Sequence, residues 1–143
     1  MENKIYKPRI DKIYFLIVVP TSLFLIGVTV ALAVEYPPSL FFMIPIMLLT
    51  AYFFVTPLYG YVELRQSGVF IRFGFILTRE ISYDRIRGVV KERKLYADSE
   101  VSLKCSLDHV NIKYNTFDIV SVSVTDNDGL IAQIEQIAAA ARR

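Results

Sequence analysis

Two stretches of this chain contain no charged side chain at all, Ile13 to Val34 and Leu40 to Tyr61. Each is about 22 residues long, or roughly 33 Å as an α-helix, which matches a hydrocarbon core of about 30 Å. Soluble cores rarely need two such runs in succession. The link between them, Glu35-Tyr36-Pro37-Pro38-Ser39, has room only for a tight reversal, and its paired prolines stop the first helix. Tyr14, Tyr36, Tyr59 and Tyr61 fall near the ends of the runs, where amphipathic rings favour the headgroup region. The expectation is a transmembrane helical hairpin over 13–61, with spans 13–34 and 40–61, preceded by a basic arm over 1–12.

Pro20, Pro45 and Pro57 lie inside the runs and each removes a backbone donor, so a kink or a fraying end is expected at each. Membrane helices tolerate proline, so these positions need carry no function. Neither run holds Asp, Glu, Lys, Arg or His, which leaves an ion or proton pathway without a side chain. Lys4, Lys7, Arg9 and Lys12 precede the first run; Arg65, Arg72 and Arg79 follow the second; the connecting loop has no basic residue. The positive-inside rule then puts both termini in the cytoplasm of a multi-pass protein of the cell membrane. Ala31-Leu32-Ala33 resembles a signal-peptidase site, but the apolar run before it is longer than a signal sequence requires.

After Tyr61 the composition changes. Basic residues number 12 and acidic residues 11, so this part is near neutral and lacks the basic excess that a nucleic-acid partner would demand. The apolar period becomes two: Val69/Ile71/Phe73 alternate with Phe70 and Arg72, Val110/Ile112/Tyr114 with Asn111 and Lys113, and Val120/Val122/Val124 with Ser121 and Ser123, the pattern of strands with one buried face. Turn residues at Gln66-Ser67-Gly68, Gly74, Tyr83-Asp84 and Asn115-Thr116 divide the segment into about seven antiparallel strands, near 61–66, 69–74, 76–82, 86–93, 100–105, 108–114 and 118–124. A helix follows. Asp126 or Asn127 suits its N-cap, Leu130, Ile134, Ile137, Ala138 and Ala141 share one face, Gln133 and Gln136 share the other, and Arg142 and Arg143 suit its negative end. Asp126-Asn127-Asp128-Gly129 lacks the ligand spacing of a calcium loop, so capping is the reading for it. A sheet of this size needs its open face covered, and the helix is expected to plug it.

Val62-Glu63-Leu64 through Gly68-Val69, Ile81-Ser82-Tyr83-Asp84-Arg85-Ile86, Ser106-Leu107-Asp108 before Ile112-Lys113-Tyr114, and Val122-Ser123-Val124-Thr125-Asp126 occur in this order after two spans. The whole resembles small bacterial two-span membrane proteins with a pleckstrin-homology-like (PH-like) domain, the group that includes the sublancin immunity protein. The resemblance implies a mainly-β PH-like domain over 62–143 capped by a C-terminal helix, and no enzymatic activity.

The chemistry-bearing residues are few. Cys105 is the only cysteine, so no intrachain disulfide forms, as suits a reducing compartment. His109, the only histidine, stands four positions on, but no orienting partner for a Cys–His nucleophile is evident. One Cys and one His leave a metal set to be completed by carboxylates, and there is no glycine-rich phosphate loop. No catalytic, metal or cofactor site is therefore expected. The densest basic segment places Arg85, Arg87, Lys91, Arg93 and Lys94 together, as contacts for anionic headgroups or a protein partner, or as a solvated strand face offset by Asp84 and Glu92. Three functions follow: a membrane-anchored interaction module binding another membrane protein or itself, an immunity protein against a membrane-active antimicrobial peptide, and a sensor of anionic lipid headgroups.

Overall fold

A computed structural model describes residues 4–99 and 102–141. The strand β1 (Lys4–Tyr6) leads into the long helix α1 (Lys12–Glu35); a 3-10 turn at Pro37–Ser39 reverses the chain into α2 (Leu40–Val55), which tightens into a second 3-10 turn at Thr56–Tyr59. The helical stretches Lys12–Glu35 and Pro37–Tyr59 are long and apolar enough to cross a membrane. Only 6% of the first and none of the second is buried, and Phe24 and Phe41 are 73% and 78% exposed. α1 continues through Pro20 and α2 through Pro45, whereas Pro57 lies in the closing 3-10 turn. The second helical stretch ends two residues short of the expected Tyr61, because Gly60 is extended and Tyr61 already pairs in a sheet. At the open end of the hairpin the Tyr14 hydroxyl donates to the carbonyl of Phe54, joining the two helices.

Two four-stranded sheets follow. The first has the order β1-β2-β3-β4, with β2 (Tyr61–Leu64), β3 (Gly68–Phe73) and β4 (Leu77–Ser82) antiparallel throughout. A 3-10 turn at Tyr83–Arg85 passes the chain to the second sheet, ordered β5-β7-β8-β6 from β5 (Ile86–Arg93), β6 (Ser102–Leu103), β7 (Asp108–Tyr114) and β8 (Asp118–Val122). The helix α3 (Asn127–Ala141) lies against β5, the Tyr83–Arg85 turn and β7. Val62, Val69, Ile71, Ile112, Val120, Leu130 and Ile134, all fully buried, form one core between the sheets and α3.

Two features depart from the expectation. The N-terminal arm is not a separate basic segment: Lys4↔Leu64, Ile5↔Glu63 and Tyr6↔Val62 make it the edge strand of the first sheet. Tyr6 is buried, and its hydroxyl donates to Gln133 of α3 at 2.9 Å. Isolated bridges then join Pro8 to Val124 and Ile10 to Cys105, so the arm is laced to the domain up to the start of α1. Its alternation is too short and too polar to read as a strand from sequence.

The strand expected over 100–105 shrinks, within the described residues, to Ser102–Leu103, and it pairs with β8 in parallel. The chain leaves β5 at one edge and reaches β6 at the other, so the segment after Arg93 must cross the outer face of β7 and β8. That crossing buries polar residues that alternation alone would expose: His109, Asn111 and Ser121 are each 0–1% exposed.

α3 has the expected capping and burial. Asp126 is the cap, its Oδ1 accepting from the Gly129 amide at 2.9 Å. Asn127 instead accepts from the Val124 amide and reaches the Asp108 carbonyl. Leu130, Ile134 and Ala138 are buried with Ile131 and Ile137 beside them, while Ala141 is exposed where the helix outruns the sheet. Arg142 and Arg143 lie outside the described residues.

Ile134→Ala should cost about 2–5 kcal/mol, as a truncation in a closed core does, and Ile134→Asp should abolish cooperative unfolding, because an unpaired carboxylate would enter the core. Tyr6→Ala should also cost roughly 3–5 kcal/mol although it precedes the hairpin, since a large buried ring and its hydrogen bond are lost. Thermal melts of the detergent-solubilised full chain, followed by near-UV circular dichroism, measure all three.

Candidate functional site

The basic segment does not form one cluster. It runs along β5, an eight-residue strand and therefore roughly 26 Å long, and its members meet different partners. Lys91 donates to both carboxylate oxygens of Asp128 on α3, at 2.8 and 2.9 Å. Arg93 lies 3.8 Å from Asp108, which Arg9 of the arm also approaches, at 3.6 Å. Lys94 sits 2.6 Å from Glu92 and 3.2 Å from Asp98; the hydrogen bonds to Glu92 and then Asp98 hold its pKa above the ordinary lysine range.

Arg85 and Arg87 differ. Both are exposed, and among the described residues neither has an acidic partner. The register of β5 against β7 slips between Ile86 and Gly88, so Arg87 is the extra residue of a bulge. Bulges re-aim side chains at sheet edges. Together with Asp84, Asn115 and Thr116 the two arginines line a cleft of about 480 Å³ where the Tyr83–Arg85 turn meets the β7–β8 turn.

At the base of the helices a second constellation ties arm, α1 and domain. Asp11, just before α1, accepts a hydrogen bond from the Ser106 hydroxyl and another from Arg9 Nε at 3.0 Å, and its amide donates to the Cys105 carbonyl. The Ser106 bond is the main reason that the Asp11 carboxyl titrates below its usual value. Cys105 itself is buried, and burial pushes its thiol up to about 11. No Cys–His pair forms: the Nδ1 of His109 lies 3.0 Å from the Leu107 carbonyl, and its Nε2 has no hydrogen-bond partner among the described residues. A thiol this far from ionising at neutral pH is a poor nucleophile.

His109 has other company. It faces Glu92 across β5 and β7, and the crossing segment brings Asp98 over the same face. One ring nitrogen of His109 and one carboxylate oxygen each of Glu92 and Asp98 lie within 4.8 Å of one another. Asn111, two residues on from His109, donates to Asp98 at 3.0 Å. Sequence spacing could not reveal this grouping, because Asp98 arrives through the crossover and not along a strand.

The Cys105 thiol predicts an alkaline weakness. A folded-state pKa raised above the unfolded value stabilises the fold fully below about pH 9, and that contribution is lost as pH rises through about 11. The native protein should react slowly with a thiol reagent at neutral pH and rapidly once denatured. Cys105→Ala should flatten the loss of melting temperature between pH 9 and 11.

The sequence model for the bacterial PH domain matches residues 61–138, a span running from β2 through most of α3. Neither the curated proteins nor the solved structures contain a match to this chain. Two facing four-stranded sheets closed by a C-terminal helix, matched over more than half of the chain, make this protein a member of the bacterial PH domain family.

Proposed function

We propose that the chain is a non-enzymatic, membrane-anchored PH-like interaction module that binds another membrane protein or a second copy of itself from the cytoplasmic face. The observation that carries the anchoring is the almost complete exposure of two apolar helices, which in water would cost far more than any fold of this size returns. The domain is apolar where it meets them. Phe75, at the tip of the β3–β4 hairpin, packs on Tyr59 and Tyr52 with ring centroids 4.8 and 6.3 Å away, and Ile76 and Leu77 beside it are exposed. On the other side Leu95 lines a small cavity with Ile13, Tyr14 and Ile17 of α1. Such a collar suits a domain resting on the bilayer surface.

For binding, the argument runs through the cations. Lys91, Arg93 and Lys94 each have a nearby carboxylate, which weakens the case for them as headgroup contacts. Arg85 and Arg87 have no ion-pair partner among the described residues, and their cleft is lined also by Asp84, Asn115 and Thr116; two cations against one carboxylate suit an acidic segment of a protein. Immunity against a membrane-active antimicrobial peptide is a separate alternative, and the two arginines do not favour it, since such peptides carry Lys and Arg on their polar face. Lipid sensing is the competitor.

A photo-crosslinking residue at Asn115 in the full chain, expressed in its native membrane, should give a discrete protein adduct that Arg85→Glu with Arg87→Glu abolishes. An adduct made of lipid would favour the headgroup reading, and no adduct would remove the cleft from consideration. Orientation is tested separately. Ser67→Cys, exposed in the β2–β3 turn, should resist a membrane-impermeant maleimide added to intact cells, while Tyr36→Cys between the helices should react.

A further inference from the structure

Among the buried side-chain atoms without a hydrogen-bond partner in the described structure is the Nε2 of His109. The residue is 0% exposed, and buried polar atoms are nearly always paired, so an orphan among them calls for a partner. Its other nitrogen identifies what kind. A carbonyl can only accept, so Nδ1, 3.0 Å from the Leu107 oxygen, carries the proton in the neutral ring, and Nε2 presents a lone pair. A backbone carbonyl holding Nδ1–H is the usual outer support of a metal-binding histidine.

We infer that His109, Glu92 and Asp98 form a binding site for a divalent first-row transition ion, with zinc as the best-suited case. One imidazole and two carboxylates are a borderline donor set that fits zinc better than calcium or magnesium, and solvent would complete the coordination. One ring nitrogen of His109 and one carboxylate oxygen each of Glu92 and Asp98 lie within 4.8 Å of one another; tetrahedral zinc needs about 3.4 Å between ligands, so the side chains would close by roughly 1 Å around Nε2, the nitrogen with the free lone pair. Asp98 is itself exposed, between half-buried neighbours, so its side chain can make that movement. Asn111, which donates to Asp98 at 3.0 Å, orients it from behind.

Lys94 competes for the two carboxylates. Its ammonium reaches Glu92 and Asp98 at 2.6 and 3.2 Å and neutralises them. An ammonium has only donors, yet it makes no hydrogen bond to His109, so the lone pair stays unused. A metal ion satisfies all three groups and the lysine two. Lys94 is 37% exposed on a four-carbon stem and can swing into solvent when displaced. Binding would clamp the segment that bears Leu95, which lines a cavity with Ile13 and Tyr14 at the start of α1.

The test uses the full chain in detergent, stripped with a chelator. Zinc titration by calorimetry should show one equivalent bound, and cobalt should give the visible absorption of a four-coordinate site. Lys94→Gln, which removes the competing charge, should bind zinc about tenfold more tightly or better. Asp98→Asn, a substitution at an exposed position that keeps the side-chain shape, should weaken binding about tenfold or more. Near-UV circular dichroism confirms that both variants fold. Absence of zinc uptake by both the wild type and Lys94→Gln would overturn the site, as would uptake that Asp98→Asn leaves unchanged.

Discussion

The pairing of Lys4–Tyr6 with Tyr61–Leu64 governs the arrangement of the whole chain. It closes a loop containing both apolar helices, so the residues entering α1 and those leaving α2 must meet at one end of the hairpin. Closing a loop that long costs entropy, and three ladder positions would hardly offset it. The cost is shared by Tyr6 in the core, the bridges at Pro8 and Ile10, and the Asp11–Ser106 hydrogen bond. Together they make the helical pair an insertion into the domain's own sheet rather than a tether in front of it. At the other junction, Gly60 and Gly74 allow close approach: a Cβ at Gly60 would strike Leu103, and one at Gly74, where φ is +91°, would strike Thr56 of the closing turn. The domain thus contacts the helix ends both through the arm and through the turn that closes the second helical stretch.

The crossover from β5 to β6 has a comparable effect on the second sheet. Most small sheets leave their outer face to water, and alternation then reads cleanly. Here the segment after Arg93 lies on that face, with the Ser99 hydroxyl accepting from the Ser121 amide and Asp98 accepting from Asn111. Polar residues on β7 and β8 are therefore buried and must find partners with one another, as Ser121 does by donating to Asn111 at 2.6 Å. His109 is the member of this layer whose outer nitrogen is left over.

How far the sequence foretold this depends on the range of each interaction. The charge-free runs, the alternation in β3, β7 and β8, and the 3.6-residue period of α3 are local patterns, and the structure follows them to within a few residues. Asp126 as cap is equally local. What local pattern could not carry was topology. β1 is three residues, two of them exposed, and its partner lies beyond both helices, so nothing near Lys4 announces a strand. The parallel pairing of β6 depends on where the chain goes after Arg93. The same limit applied to function: five basic residues counted along β5 look like one patch, while their partners Asp128, Asp108 and Asp98 come from α3, β7 and the crossover.

Those partners sort the cations by physical role. Lys91 fastens α3 to β5, and Arg93 shares Asp108 with Arg9, so each belongs to a contact between elements of the fold. Exposed pairs of this kind contribute little stability one at a time, but each occupies a donor that a ligand would otherwise use. Arg85 and Arg87 lie at the end of β5 farthest from Arg93, on a turn and a bulge, with no ion pair among the described residues although Asp84 lines the same cleft. Three of the five cations are thus paired within the fold, and the proposed contact with an acidic partner rests on the other two. The arm, by contrast, brings its own basic residues to the helix end of the domain, where Arg9 is already held by Asp11 and Asp108. The two ends of β5 are therefore chemically distinct: Arg93 shares Asp108 with Arg9 of the arm that enters α1, while Arg85 and Arg87 line an open cleft with Asp84, Asn115 and Thr116.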